Sequence, residues 1–319
     1  MNILKIENLN LVFDLQKGGC QALYGVNLEL KKGETLAIVG ESGCGKTLTA
    51  MSILRLIPST AKITAGKILY NNKNLLDFSE SQMQQIRGKY IALIPQDPMT
   101  SLNPLFTIGD QLLEVIALHQ GLKGEEAANK AIEALEKVKI PNAKERLKNY
   151  PHEFSGGMRQ RVIIAMALAC NAEIIIADEP TTALDVTVQA QIMQLLNEIK
   201  TNYNTSIILI SHDLGLVSEN ADKIAVMYAG SVVEYSESEE LFNNPKHPYT
   251  KALLNSLPDI NTEKLETIQG QPPSITEEIV GCPFSPRCGK KMEICEIDKP
   301  HLIEVNNLSK VSCWLYNQV

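Results

Sequence analysis

The sequence predicts an α/β protein: a parallel sheet covered on both faces, a flanking antiparallel β-subdomain, an inserted helical subdomain and a small loop-rich C-terminal appendix. Three observations predict it. Short, wholly apolar runs recur at residues 36–39, 91–94, 174–177, 207–210 and 224–227, with helical stretches between several of them. Strands apolar on both faces belong to parallel sheets buried under helices. The N-terminal stretch instead alternates apolar and polar residues, as half-buried antiparallel strands do. Between these patterns lies Gly-Glu-Ser-Gly-Cys-Gly-Lys-Thr at 40–47, a glycine-rich run joining an apolar strand to a helix.

In chain order, Ile3, Leu4, Ile6, Leu9, Leu11 and Phe13 mark a first strand, turned at Gln16-Lys17-Gly18-Gly19. A second strand is expected near 22–30, closed by Lys31-Lys32-Gly33-Glu34. The helix after the glycine-rich run is expected over 48–57, where Pro58 stops it. A hairpin follows at 66–70, with its turn at Asn71-Asn72-Lys73-Asn74. The strand at 91–94 ends at Pro95-Gln96-Asp97-Pro98. From 107 to 147 the chain reads as mostly helical. Ile108, Leu112, Val115 and Ile116 form one apolar stripe, and Ala131, Leu135 and Val138 another. A further helix is expected over 188–200, and Ala229-Gly230 turns a hairpin into 231–235. Beyond Ser236 the composition shifts toward Glu, Asn, Pro and Cys, with one short helix at 249–256. The expected domains are 1–235, with the helical part at about 100–160, and 236–319.

Composition excludes some functions. A net charge of −7 argues against a general nucleic-acid binder, which needs excess Lys and Arg to neutralise phosphates. No apolar run approaches the roughly 20 residues of a membrane helix, and the first residues lack a signal-peptide core. The expectation is a cytosolic chain that meets a membrane only through a partner. Its seven cysteines then read as thiols or metal ligands rather than disulfides.

The run at 40–47 fits G-x-x-x-x-G-K-T, a phosphate-binding loop in its proper context of strand, loop and helix. Gly40, Gly43 and Gly45 let backbone N–H groups turn inward, and Glu41, Ser42 and Cys44 contribute main chain to the same cradle. The helix N-terminus adds partial positive charge. Lys46 would reach the β- and γ-phosphates, Thr47 would offer its hydroxyl to Mg²⁺, and Thr49, just inside the helix, is expected among the nucleotide-binding residues. A second signal is the apolar run ending in Asp178-Glu179. A carboxylate at a strand's C-terminal edge stands where phosphates bind in such sheets. Asp178 is expected to hold Mg²⁺ and Glu179 to polarise a water.

Further motifs carry a resemblance. Phe154-Ser155-Gly156-Gly157-Met158-Arg159-Gln160-Arg161 resembles the signature motif of ABC ATPases, although Phe154 and Met158 replace the usual Leu and Gln. Thr182-Ala183-Leu184-Asp185 resembles their D-loop, Ser211-His212-Asp213 their switch-histidine loop, and Gln96 their Q-loop. The resemblance covers residues 1 to about 235, and it implies a P-loop NTPase fold. Ser155, Gly156 and Gly157 form a second anion cradle at a helix start. The resemblance implies head-to-tail pairing, each ATP lying between the loop of one subunit and the signature of another. It also implies adenine stacking on Phe13 (Tyr24 being the other candidate), a contact from Asp185, a role for Gln96 at Mg²⁺, and γ-phosphate sensing by His212.

Two stretches narrow the resemblance to the ATPases of peptide and nickel importers: the extended Q-loop at 96–104 and His247-Pro248-Tyr249-Thr250-Lys251-Ala252-Leu253-Leu254. Cys282, Cys288, Cys295 and Cys313 follow, spaced C-x5-C-x6-C-x17-C. Four thiolates in such a segment suit Fe–S, Zn or no metal at all; the tight C-x2-C zinc knuckle is absent. In dipeptide and oligopeptide importer ATPases, which this tail resembles, four cysteines hold a [4Fe–4S] cluster. Cys20, Cys44 and Cys170 are assigned no metal. The expected partners are two permease subunits, a second ATPase subunit (paralogue or copy) and, indirectly, an extracytoplasmic peptide-binding protein, with the chain on the cytoplasmic face of the membrane. The alternatives are an importer of nickel or another small solute, a non-transport ABC ATPase, and a non-catalytic regulatory subunit.

Overall fold

A computed structural model describes residues 2–15, 18–182, 184–256, 268–277 and 279–316. Gln16-Lys17 of the first expected turn and Ala183 lie outside the described residues. The chain forms two compact units, Met1–Asp77 with Ser211–Val319, and Phe78–Ile210.

In chain order, strands β1 (Asn2–Leu15), β2 (Gly18–Lys31) and β3 (Thr35–Val39) lead into helix α1 (Lys46–Leu54), β4 (Ala61–Tyr70) and β5 (Lys73–Asn74). Then come α2 (Glu80–Ile86), β6 (Ile91–Ile94), α3 (Pro98–Ser101), α4 (Ile108–Gln120), α5 (Gly124–Lys137) and α6 (Ala143–Arg146). They are followed by α7 (Gly156–Ala169), β7 (Ile174–Asp178), α8 (Val186–Tyr203), β8 (Ser206–Ser211), α9 (Leu214–Asn220), β9 (Lys223–Tyr228) and β10 (Ser231–Glu237). The C-terminal part adds α10 (Ser238–Asn243), α11 (Pro248–Asn255), α12 (Ile294–Ile297), β11 (Ile303–Asn306) and β12 (Ser309–Val311).

The first unit holds the antiparallel sheet β2-β1-β4-β5. Its long strands bend where their register shifts, between Ile6 and Leu9 and again between Leu9 and Leu11, which keeps both leucines fully buried. In the same unit β3 pairs in parallel with β9, and β9 runs antiparallel to β10. Ala229 and Gly230 both have positive φ at that hairpin, the geometry of a tight two-residue turn. In the second unit β6, β7 and β8 run parallel, Ile91 beside Ile174 and Ile174 beside Ser206. All five residues of β3 and of β7 are buried, as their unbroken apolar runs require.

Two expectations need correction. The helix after the glycine-rich loop begins at Lys46 and ends at Leu54, before Pro58. Arg55 turns left-handed there and returns its N–H to the carbonyls of the last turn, so the backbone has left the helix before proline could break it. The C-terminal appendix also contains more regular structure than expected. β12 pairs with β10, and β11 with β12. Strands of three and four residues carry too little periodicity to be read from composition; an available edge on β10 decides them.

Candidate functional site

The loop at 40–47 connects β3 to α1. Gly40 has φ +147, and a Cβ there would lie 2.2 Å from the Met227 carbonyl oxygen. Only glycine lets the loop pass this close to β9. Lys46 is 5% exposed. Its ammonium donates to the Gly40 carbonyl at 2.8 Å and the Glu41 carbonyl at 3.0 Å. The charge is thus held within the loop, at the start of α1, where anions are favoured. Thr49 is fully buried, and its hydroxyl donates to the Gly45 carbonyl at 2.9 Å. That bond tightens the first turn of α1 and engages the hydroxyl. Cys44 is buried, and burial raises its thiol above the ordinary value. Such a thiol is a poor nucleophile, so its backbone is what the loop uses.

Segments far along the chain brace this loop. The Gly230 N–H donates to the Cys44 carbonyl at 3.0 Å. A Cβ on Gly230 would sit 2.2 Å from the Ala22 carbonyl oxygen, so this turn too needs glycine. The Glu41 N–H donates to the Tyr249 hydroxyl at 3.0 Å. Tyr249 belongs to the His-Pro-Tyr stretch that the sequence offered only as a subfamily mark. His247 Nδ1 caps α11 by accepting the Tyr249 N–H at 3.0 Å. The buried Glu234 carboxylate accepts the N–H groups of Lys246 and His247, each at 2.8 Å. Burial holds His247 neutral, with its pKa lowered to about 3, and raises the Glu234 pKa. Tyr228, Tyr249 and Phe284 pack ring against ring beneath, with centroids 4.7 to 5.4 Å apart. Sequence reading missed Glu234, Tyr228 and Phe284 as supports; no local motif marks them.

Phe13 lies near the end of β1, half-buried and paired with Cys20 and Ala61. Tyr24, the other candidate for stacking, is half-buried, with the Lys299 ammonium 4.0 Å from its ring centroid. His212 follows β8 and is exposed. Its neighbours fix the turn, since Asp213 donates its N–H to the Ser211 hydroxyl and caps α9 through Gly215 and Leu216.

The second unit carries the carboxylates. Asp178 ends β7 and is 2% exposed. Glu179 adopts φ +45, an uncommon conformation for a residue with a side chain. Its N–H donates to the Ile210 carbonyl at 3.0 Å, which holds it there. One carboxylate oxygen accepts from Gln96 Nε2 at 2.9 Å and from the Thr182 hydroxyl at 3.0 Å. Gln96 and Glu179, 83 residues apart, therefore meet directly. Ser155 caps α7 by accepting the Met158 N–H, so the N–H groups at its first turn lie at an exposed helix start. Asp185 caps α8 through Val188. This unit offers carboxylate and amide oxygens, hard donors suited to Mg²⁺, together with a second anion cradle.

The four C-terminal cysteines gather in one region of the first unit. The Cys282 N–H donates to the Cys295 carbonyl at 2.8 Å. Burial raises the Cys282 thiol to about 11 and lifts Cys288 and Cys313, and neighbouring cysteines push each of the three the same way. Among the described residues, however, no group of three or more His, Cys, Asp or Glu side chains is arranged to hold a metal ion. The expected four-cysteine metal site is therefore not shown among the described residues. The Lys299 ammonium is buried without a hydrogen-bond partner, and burial lowers its pKa to about 8 while Cys282 opposes that shift.

No helix among the described residues is long and apolar enough to cross a membrane. Residues 23–182 match the family model described as "ABC transporter", and residues 233–295 the one described as "Oligopeptide/dipeptide transporter, C-terminal region". The second match includes Cys282, Cys288 and Cys295 but not Cys313. The chain is 49% identical to the dipeptide transport ATP-binding protein DppD of Bacillus subtilis, covering 99% of this chain and 95% of that protein. It is 48% identical to the oligopeptide transport ATP-binding protein OppD of Salmonella typhimurium, covering 93% and 89%. Among solved structures, the post-hydrolysis dimer of the ATP-binding cassette MJ0796 bound to ADP and Pi aligns with TM-score 0.66 and 30% identity, over 74% of this chain and 98% of that one. CbiO1 of Clostridium perfringens, part of the ABC transporter complex cbiONQ, aligns with TM-score 0.66 and 29% identity, over 76% and 91%.

Proposed function

The chain belongs to the ABC transporter family as a transport ATPase of its oligopeptide/dipeptide branch, and on that premise we propose that it energises uptake of di- or oligopeptides by ATP-driven closure of an ATPase dimer. The observation that carries the reading is the hydrogen bond from Gln96 to Glu179. It ties the hydrolytic carboxylate to the stretch that leads into exposed Met99, Leu105 and Phe106. Leu105 is 80% exposed. These side chains, with the helical part near 100–160, are the surface for a cytoplasmic helix of the permease.

In this reading residues 1–235 are the ATPase domain and 236–319 its importer-specific extension. The loop at 40–47 cradles the ATP phosphates, Lys46 neutralises charge on the β- and γ-oxygens, and Phe13 stacks on adenine. Thr47, Gln96 and Asp178 would hold Mg²⁺, which supplies charge neutralisation at the phosphates. Glu179 orients the attacking water and accepts its proton. Ser155, Gly156, Gly157 and Asp185 of the opposite ATPase subunit complete each site, and His212 senses the γ-phosphate. Closure and reopening are then a rigid-body switch biased by γ-phosphate contacts. The chain works at the cytoplasmic face of the membrane, peripherally, beside two permease subunits and a second ATPase subunit; the binding protein acts from the other side.

Cys282, Cys288, Cys295 and Cys313 would hold a [4Fe–4S] cluster, whose bonds staple a segment with few apolar residues of its own. The nearness of the four thiols, whose charges act on one another, and the absence of a C-x2-C zinc knuckle support this reading. Anaerobic purification should give brown protein with about four irons per chain; stoichiometric zinc without iron would refute the cluster. The transport reading is tested by reconstitution with the neighbouring permease and ATPase subunits. ATP-dependent uptake of labelled peptides is the expected result. Uptake of nickel in preference to peptides would move the chain to the alternative, and ATP turnover indifferent to the permease would reject transport coupling.

A further inference from the structure

The segment that carries the cysteines also reaches into the phosphate loop. Arg287 closes a short 3-10 turn, Ser285–Arg287, between Cys282 and Cys288. Its guanidinium donates two bonds to the Glu41 carboxylate, at 2.7 and 2.9 Å, across 246 residues of chain. It also donates to the Tyr228 hydroxyl at 3.2 Å and, through Nε, to the Gln269 carbonyl at 2.9 Å. The Arg287 side chain is only 5% exposed. Tyr228 and Phe284 lie against its guanidinium, with ring centroids 5.7 and 6.0 Å away. A forked Arg–carboxylate pair, its arginine side chain buried and its carboxylate side chain 25% exposed, fixes direction as well as distance, unlike an ordinary surface ion pair.

Glu41 is the second residue of the loop. A free carboxylate there would repel the phosphates that the inward N–H groups and Lys46 attract. In this protein Glu41 is gripped at three points: its N–H by Tyr249, its carbonyl by Lys46 and its carboxylate by Arg287. We propose that Arg287 is a positioning residue for the ATP site. It holds the Glu41 carboxylate neutralised and aligned, so that the loop is preset for the triphosphate, and it makes the C-terminal segment part of the nucleotide site. Because Arg287 stands between two of the cysteines, whatever fixes them also fixes the guanidinium. The inference rests on the reading of the loop as the ATP site.

The test uses the full chain and MgATP. Arg287→Ala should weaken MgATP affinity about tenfold, the worth of a charged hydrogen-bonded pair, while kcat at saturating ATP stays within about twofold. Adding Glu41→Gln to that variant removes the unpaired carboxylate and should restore most of the affinity. Arg287→Lys, which keeps the charge but not the fork, should lose about threefold, and it decides the matter should the alanine variant fail to fold. Unchanged affinity in Arg287→Ala, or in Arg287→Lys where only that variant folds, would overturn the proposal. So would a loss that Glu41→Gln does not repair, since a merely structural arginine would not be rescued by neutralising its partner. Lys46→Ala in the same assay separates the two readings: if it leaves affinity intact, the loop assignment itself fails; if it abolishes binding while the Arg287 variants do not weaken it, only this inference does.

Discussion

The phosphate loop at 40–47 and the turn at 155–157 are both glycine-bearing bends at helix starts, yet they are built differently. The loop is held from afar. Tyr249, Gly230 and Arg287, drawn from the last third of the chain, each bond to it. The turn at 155–157 is held by the Ser155 cap, by the bonds of its own helix, by the Arg159 Nε bond to the Pro151 carbonyl at 2.7 Å, and by Val188, whose Cγ1 a Cβ on Gly157 would meet at 2.6 Å. Close behind it lies a debt: Gln160 is fully buried, and neither polar atom of its amide has a partner. A loop braced in this way is ready for its ligand.

The sharpest break in this comparison comes from chemistry. Glu179→Gln should lower turnover by about 10²- to 10⁴-fold, the usual worth of a general base, while MgATP affinity is kept and the closed dimer accumulates. Wild-type-like steady-state hydrolysis in the assembled transporter would reject Glu179 as the base. Next is Lys46→Ala, which should weaken MgATP binding by at least about a hundredfold. Titration with a fluorescent ATP analogue reads it, and an unchanged Kd would remove the loop from the site.

A smaller effect reads the loop's brace through pH. His247 is held neutral by burial, with a pKa of about 3 in the folded chain, against about 6.5 unfolded. Its contribution to stability is full above pH 6.5 and is lost as pH falls, because the unfolded chain takes up a proton that the folded chain refuses. Between pH 6.5 and 4.5 the loss amounts to about 2–3 kcal/mol. Glu234, whose pKa burial raises, acts with the opposite sign, so His247→Gln should be compared with the wild type at each pH. Parallel melting profiles for the two would contradict the assignment. The smallest effect belongs to the other cradle: Gln160→Met should raise stability by about 1 kcal/mol, since an unpaired buried amide is replaced by an apolar group of similar shape. A lower melting temperature would show that the amide is satisfied after all.

Much of this is legible in the sequence alone. The α/β class, the loop, Asp178-Glu179 at a strand end and the signature turn could be read because each depends on neighbours in sequence. Glycine's backbone freedom, apolar runs and helix caps all act over a few residues. The resemblance to ABC ATPases drew on these same local marks. Less legible were elements whose cause lies elsewhere. β11 and β12 form because β10 offers an edge, and their own residues give little hint of it. Nor does anything near Tyr24 in sequence reveal that Lys299 lies over its ring.

What the sequence by itself determined is the inventory of phosphate-handling parts and their order, since those parts are short-range structures written in glycine, apolar periodicity and strand-end charge. Only the tertiary structure decided what holds them. That Glu41 is tied to Arg287 and Tyr249, and Gln96 to Glu179, follows from where the strands and helices carry these side chains. Separations of 83 to 246 residues leave no local pattern, and a hydrogen bond is satisfied by whichever partner the fold brings within reach.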